Sequence, residues 1–181
     1  MIIITGLRSG TSLMMQTLKL LGVCVVGYKF HDDFSHVELN PKGYYDLPIS
    51  ETINGLNTDV YSGKAVKLGG YQLSKTDPKY VDRVIVCERN KKDVIPSMIR
   101  LMNADYKISG IKPTIDNAEL AYNSNKFLID EYVKAKTHIR IRYEDMIERP
   151  ELSLCKICDF LGVKNDTTKA INNIEKRVVW Q

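Results

Sequence analysis

Residues Gly6-Leu7-Arg8-Ser9-Gly10-Thr11-Ser12 follow an apolar run, Met1 to Thr5, and lead into a segment with one apolar face. A strand, a glycine-bounded turn and a helix start in that order make a seat for an anion. Backbone N–H groups converge there, Arg8 adds a fixed charge, and Thr11 and Ser12 add hydroxyl donors, so Ser9 to Ser12 suit phosphate or sulfate oxygens. An ATP- or GTP-binding loop has four residues between its glycines and a lysine after the second. Here three residues separate Gly6 from Gly10, and Thr11 stands in the lysine's place. A second cation, Arg89, closes the β-branched run Val81 to Glu88, and Ser97 lies one helical turn past Asp93, so both can face a phosphate near that helix start. A third group lies in the irregular stretch Gly27 to Pro48, which holds His31, His36 and Asp46, side chains able to move protons.

The elements that must position these residues alternate. Leu13, Thr17, Leu18 and Leu21 form one face of a first helix, which Gly22 ends, and Val23 to Val26 reads as a short strand. A helix from about Pro48 to Leu56 precedes a strand at Ala65 to Leu68. Val81 to Glu88 has the β-branched density of a buried parallel strand, and Asp93 is expected to cap a helix with Pro96 in its first turn. Asp116 with Glu119 reads as a capping box for a long helix to about Lys136, followed by a strand at His138 to Tyr143. Pro150 opens a helix whose Leu154, Ile157, Cys158 and Leu161 share a face before Gly162 stops it. This order predicts an α/β fold, a three-layer sandwich with a mostly parallel central sheet like that of the P-loop nucleotide hydrolases. Ligands of such sheets bind at the carboxyl ends of the strands.

Composition narrows the classes. At 181 residues, 44% hydrophobic and 27% charged, the chain reads as one soluble domain over 1–181. The net charge of +4 is spread along the sequence, which favours an anionic ligand in a cleft over a nucleic-acid surface. No stretch approaches the ~20 apolar residues of a membrane span, and no basic leader precedes the first apolar run, so the expectation is a cytoplasmic protein without a membrane partner. Cys24, Cys87, Cys155 and Cys158 lie among apolar residues and read as reduced core thiols. The Cys155/Cys158 spacing falls inside a helix with no second pair, so no metal is expected.

Three segments together resemble the sulfotransferase family. Arg8-Ser9-Gly10-Thr11-Ser12 is similar to its 5′-phosphosulfate loop. Val84 to Ser97, with Arg89 and a serine eight positions later, is similar to its 3′-phosphate motif. Ile141-Arg142-Tyr143-Glu144-Asp145-Met146, with Pro150 and Phe160-Leu161-Gly162 downstream, is similar to its Tyr-Glu-Asp segment. The resemblance, closest to bacterial and carbohydrate-type members, implies that 3′-phosphoadenosine 5′-phosphosulfate (PAPS) is the donor and 3′-phosphoadenosine 5′-phosphate (PAP) the product. Arg8, Ser9, Gly10, Thr11, Ser12, Arg89, Ser97 and Tyr143 would bind it, with Tyr143 near the adenine.

Such a donor carries about −4 of charge and requires two separate anion sites. Sulfuryl transfer builds charge on the oxygen joining sulfur to the 5′-phosphate, where Arg8 and Lys67 are the candidate cations; Lys67 resembles the family's strand-end lysine. The histidine that some members carry two positions later is replaced by Gly69. Asn40-Pro41-Lys42-Gly43-Tyr44-Tyr45-Asp46 resembles the segment holding the carboxylate base of others, which makes Asp46 the leading general base and His31 and His36 second choices. Glu144 and Asp145 are expected to cap a turn. The family's C-terminal Arg-Lys-Gly loop is absent; Lys176 and Arg177 are its nearest substitutes, and Trp180 packs on either a ligand or the core. The acceptor is expected to be a small molecule or carbohydrate. Two other readings stand: a P-loop nucleoside or nucleotide kinase, with Glu88 as a magnesium-site carboxylate, and an inactive nucleotide-binding module of the same fold.

Overall fold

The computed structural model describes residues 1–30, 40, 42–110 and 112–178. The isoleucines of β1 (Ile2–Thr5) favour an extended backbone, and this strand takes a central place between β2 (Ala65–Lys67) and β3 (Arg83–Glu88). A fourth strand, β4 (His138–Arg142), pairs with β3. All three pairings are parallel, in the order β2-β1-β3-β4. The two inner strands are covered on both faces, as their unbroken apolar sequences require.

Side-chain alternation divides the core into two layers. Ile4 and Ile85 point to one face with Leu13, Met14 and Leu18 of α1 (Thr11–Leu20), Leu154 and Ile157 of α7 (Pro150–Leu161), and Ala170 and Ile174 of α8 (Thr168–Val178). Ile3, Val84 and Val86 point to the other, against Leu73 of α3 (Gly70–Lys75) and Ile129 and Val133 of α5 (Ile115–Val133). Helix α4 (Lys91–Ser109) packs on α5 through Val94, Ile95, Met98 and Ala118. Each fully buried apolar side chain contributes about 1.5–3 kcal/mol. That rigid scaffold holds the loops at the strand ends in conformations they would not adopt alone. The predicted three-layer α/β architecture with a parallel sheet is therefore the one observed.

Several local expectations are corrected. Val23 to Val26 makes a single bridge, Val25 to Ala65, rather than a strand, because Gly22 and Gly27 at positive φ turn the chain on either side. The helix expected to reach Leu56 is only α2 (Ile49–Thr52). Helix α4 starts at Lys91, so Asp93 lies in its first turn instead of capping it, and Pro96 falls inside the helix. The cap of α5 is Thr114, whose Oγ1 accepts from the Asn117 N–H at 3.2 Å; Glu119 pairs with Lys91 instead of closing a box. Of the thiols, Cys87 is buried, Cys158 is half-buried, and Cys24 and Cys155 are exposed, so two of the four are not core residues; all four are free. The sequence reading lacked α3, α6 (Tyr143–Glu148) and α8. Among the described residues no helix is long and apolar enough to cross a membrane.

Candidate functional site at the strand ends

Because every described strand runs the same way, Thr5, Lys67, Glu88 and Arg142 end on one edge of the sheet, and the loops that follow them meet. The loop after β1 is moulded onto its neighbours. A Cβ on Gly6, at φ 135°, would lie 2.3 Å from the Cys87 carbonyl oxygen, and one on Gly10, at φ 92°, would lie 2.6 Å from the Tyr143 ring. Neither space admits a side chain. Arg8 between them also has a positive φ, 51°. Left-handed residues in a short loop turn successive N–H groups toward a common point, the geometry of an anion nest. The Ser9 hydroxyl is buried there with no hydrogen-bond partner among the described residues.

Two cations are bound into this loop by other elements. The Arg8 Nε donates to Ser97 Oγ on α4 at 3.1 Å. Burial holds the Arg8 pKa below its usual value; Tyr44 and Asp46 act against that, and the charges of Arg100 and Arg89 act with it. Lys67 Nζ reaches Asp46 Oδ1 at 2.8 Å, and donates to the Tyr44 carbonyl at 2.7 Å and to Ser12 Oγ at 3.3 Å. Only 10% of the Lys67 side chain is exposed, against 47% for Asp46. Burial lowers the Lys67 pKa, and the adjacent carboxylate of Asp46 partly restores it. The surrounding solvent makes Asp46 the reachable member of the pair. Lys67 is thus a buried, three-partnered ammonium rather than a solvated strand end.

Asp46 is positioned by backbone. Gly27, at φ 121°, lies where a Cβ would be 2.5 Å from the Tyr45 carbonyl oxygen, so only glycine lets the strand-like pairing of Tyr28 with Asp46 form. The preceding turn is tied down by Gln16 Nε2 and Asn40 Nδ2, which both donate to the Gly43 carbonyl, at 2.9 and 2.7 Å. Lys42 Nζ anchors the same turn to α8 through the Asn173 carbonyl at 2.9 Å.

The third group lies at the end of β3. The Arg89 guanidinium stacks 4.4 Å above the centroid of the Tyr143 ring, the ring that also covers Gly10. Glu144 Oε1 accepts from the Asn90 N–H at 2.9 Å, fixing the turn that carries Arg89, and Asp145 pairs with Arg149 at 2.7 Å. Glu144 therefore holds a turn, as expected, whereas Asp145 lies in the first turn of α6 (Tyr143–Glu148) and pairs along that helix. Ser97 lies nearly two turns inside α4, further from its start than the sequence suggested, and is buried against Arg8.

The structure thus brings Arg8, Ser9, Gly10, Ser12, Asp46, Lys67, Arg89, Ser97 and Tyr143 to one edge of the sheet, with Thr11 opening α1 beside them. His31 and His36 lie outside the described residues, as do Trp180 and the side chains of Lys176 and Arg177. A Cβ on Gly69 would be 2.7 Å from Gln72 Oε1, so Gln72 fills the space a side chain would take there. Glu88 Oε1 is paired with Arg140 at 2.7 Å, so this carboxylate is engaged in an ion pair along the sheet. No cluster of three or more His, Cys, Asp or Glu able to hold a metal ion occurs among the described residues. Sequence reasoning missed Gln16, Gly27 and the Tyr44 carbonyl, which offered no local signal because they act through backbone contacts between distant segments.

Comparison with known proteins agrees with this fold. A family model described as sulfotransferase family matches residues 82–167. The chain is similar in fold to the mouse sulfotransferase SULT7A1, solved in complex with PAP: TM-score 0.58 and 17% identity over 97% of this chain and 62% of that one. It is likewise similar to the sulfotransferase domain from the curacin biosynthetic pathway, with TM-score 0.55 and 17% identity over 91% of this chain and 74% of that domain. The chain therefore spans less than two thirds of the mouse enzyme's length. No curated protein matches it by sequence.

Proposed function

We propose that the chain is a sulfotransferase that moves a sulfuryl group from PAPS to a hydroxyl or amine of a small-molecule or carbohydrate acceptor, a reading supported by the match of residues 82–167 to the family model. The observation that carries the reading is Lys67, which joins Ser12 of the anion loop to Asp46 through one buried ammonium. The residues fit the donor: a glycine-moulded nest at β1 whose buried Ser9 hydroxyl has no partner among the described residues, and Arg89 and Ser97 beside it on the β3 side. Thr11 and Ser12 add hydroxyls to the first seat, and the Tyr143 face already stacks a cation beside it.

In the reaction the acceptor oxygen or nitrogen forms a bond to sulfur while the bond from sulfur to the 5′-phosphate oxygen breaks. Asp46 takes the acceptor's proton, and the negative charge growing on the departing oxygen is met by Lys67 and Arg8. As Lys67 shifts its attraction toward the departing oxygen, Asp46 loses its partner and becomes the better base. His31 and His36 remain second choices for that proton. The product nucleotide is PAP, and no step calls on a metal.

The Glu88–Arg140 pair disfavours the kinase reading, since a magnesium site needs that carboxylate free. Four free thiols support a reducing compartment, the cytoplasm, and a modest, dispersed positive charge supports a small anionic ligand over nucleic acid or a membrane surface. The test is release of PAP from PAPS across a panel of phenolic, alcohol, amine and sugar acceptors. Transfer is expected for the native chain, and Asp46→Asn is expected to lower turnover roughly 100-fold with PAP affinity nearly unchanged. PAP binding without transfer to any acceptor would support the inactive-module reading, and tight magnesium-dependent ATP binding would overturn the assignment.

A further inference from the structure

We propose that Arg100 is a third cation of the donor site, gripping the 3′-phosphate together with Arg89 and Ser97 and so setting the preference for a 3′-phosphorylated nucleotide. The inference rests on the donor reading above. It begins with the face of α4 that meets the anion loop. Ser97 is buried on that face and accepts the hydrogen bond from Arg8 at 3.1 Å. Arg100 follows three residues later on the same helix, which puts the two side chains on one face. Helical side chains lean toward the N-terminus, so a side chain as long as that of Arg100 is able to reach back along the Ser97 face of α4.

Among the described residues the neighbouring cations are engaged and Arg100 is not. Lys67 is paired with Asp46, Lys91 with Glu119, and Arg140 with both Glu88 and Asp130. Arg89 lies over Tyr143. Arg100 is exposed and makes no ion pair or hydrogen bond among the described residues. Its charge nevertheless reaches Arg8, whose pKa it lowers, as does that of Arg89. The charges of Arg89 and Arg100 thus both act on Arg8 on the side of the loop that α4 covers, where the first turn of that helix also carries Asp93. Asp46, the acid that acts on Arg8, is drawn to Lys67 instead.

Such a convergence is repulsive unless an anion fills it. A phosphate monoester carries about −1.5 to −2 of charge and presents three acceptor oxygens, more than one guanidinium satisfies. Arg8 belongs to the sulfuryl end of the donor by its place in the β1 loop, which leaves Arg89 and Arg100 as the two cations for the far phosphate. Arginine suits this role because its planar fork bonds two phosphate oxygens at once.

The experiment is calorimetric titration of PAP and, separately, of adenosine 5′-phosphate into the native chain and into Arg100→Ala and Arg100→Lys. The native chain is expected to bind PAP more tightly. Arg100→Ala should weaken PAP by roughly tenfold to a hundredfold and leave adenosine 5′-phosphate unchanged, with Arg100→Lys between. Arg100 is exposed, so an unaltered unfolding midpoint will show that the variants fold. Equal loss for both nucleotides, or no loss for either, would overturn the assignment of Arg100 and leave the donor reading intact. A native chain that binds neither nucleotide would overturn both.

Discussion

Replacing Lys67 by methionine separates what the buried ammonium does for folding from what it does for transfer. The charge is nine-tenths buried and is held by one carboxylate, one carbonyl and one hydroxyl. Taking such a group from water costs several kcal/mol, which its partners roughly return, so an apolar side chain of similar length is expected to change stability by only about 1 kcal/mol. Asp46→Asn acts differently, because it leaves the ammonium in place with two neutral partners. A fully buried broken pair costs about 3–5 kcal/mol, but Asp46 is nearly half exposed and water can take its place, which brings the expected loss to about 1–2 kcal/mol. Both variants should lose turnover, Lys67→Met by about 100- to 1000-fold through the unmet charge on the leaving oxygen. Urea unfolding followed by circular dichroism gives the stabilities, and PAP release at saturating donor gives the rates. Burial lowers the Lys67 pKa below its unfolded value, so the folded chain releases this proton at lower pH than the unfolded chain. The cost of burying the charge is therefore present in full below the folded pKa and is relieved as pH rises through it. Stability should gain from this group on the alkaline side while turnover falls there, and Lys67→Met should erase that stability gain. A methionine variant turning over within about threefold of the native rate would refute the role of Lys67, and one less stable than Asp46→Asn would refute the account of the pair.

Two further outcomes follow from the packing. Gly10→Ala forces a side chain into a left-handed residue and against the Tyr143 ring, which should cost about 1–2 kcal/mol for the backbone alone and weaken PAP binding by displacing the ring beneath Arg89; unchanged thermal unfolding and affinity would show that the loop yields freely. Burial pushes the Cys87 thiol up to about 12, so alkylation of the native chain at neutral pH should label Cys24 and Cys155 within the time that Cys87 stays unmodified, as read by mass spectrometry; early labelling of Cys87 would mean that the end of β3 opens.

The anion loop was legible because its signal is local. A glycine at each end of a short turn, an apolar run before and an amphipathic segment after are all contained in residues 1–21, and the observed β1 and α1 match them closely. The same holds for β3 and β4, whose β-branched runs lead into Arg89 and Tyr143. Caps and helix limits were less legible. Thr114 outcompeted Asp116 because a cap is decided by which residue leaves helical geometry first, and α8 escaped notice because its sequence is mostly polar. The cysteine expectation failed for a related reason: apolar neighbours in sequence face opposite sides of an element.

Sequence alone determined the chemistry on offer: a loop for an oxyanion, cations beyond two strands, a carboxylate in an irregular segment and a parallel sheet to collect them. Tertiary structure alone decided the pairings, namely Arg8 with Ser97, Lys67 with Asp46 and Ser12, and Arg89 with Tyr143. Residue type and spacing fix what a side chain can donate or accept. Which atom it meets depends on segments 21 to 89 residues away folding onto the same edge of the sheet, and on burial that only the packed chain provides.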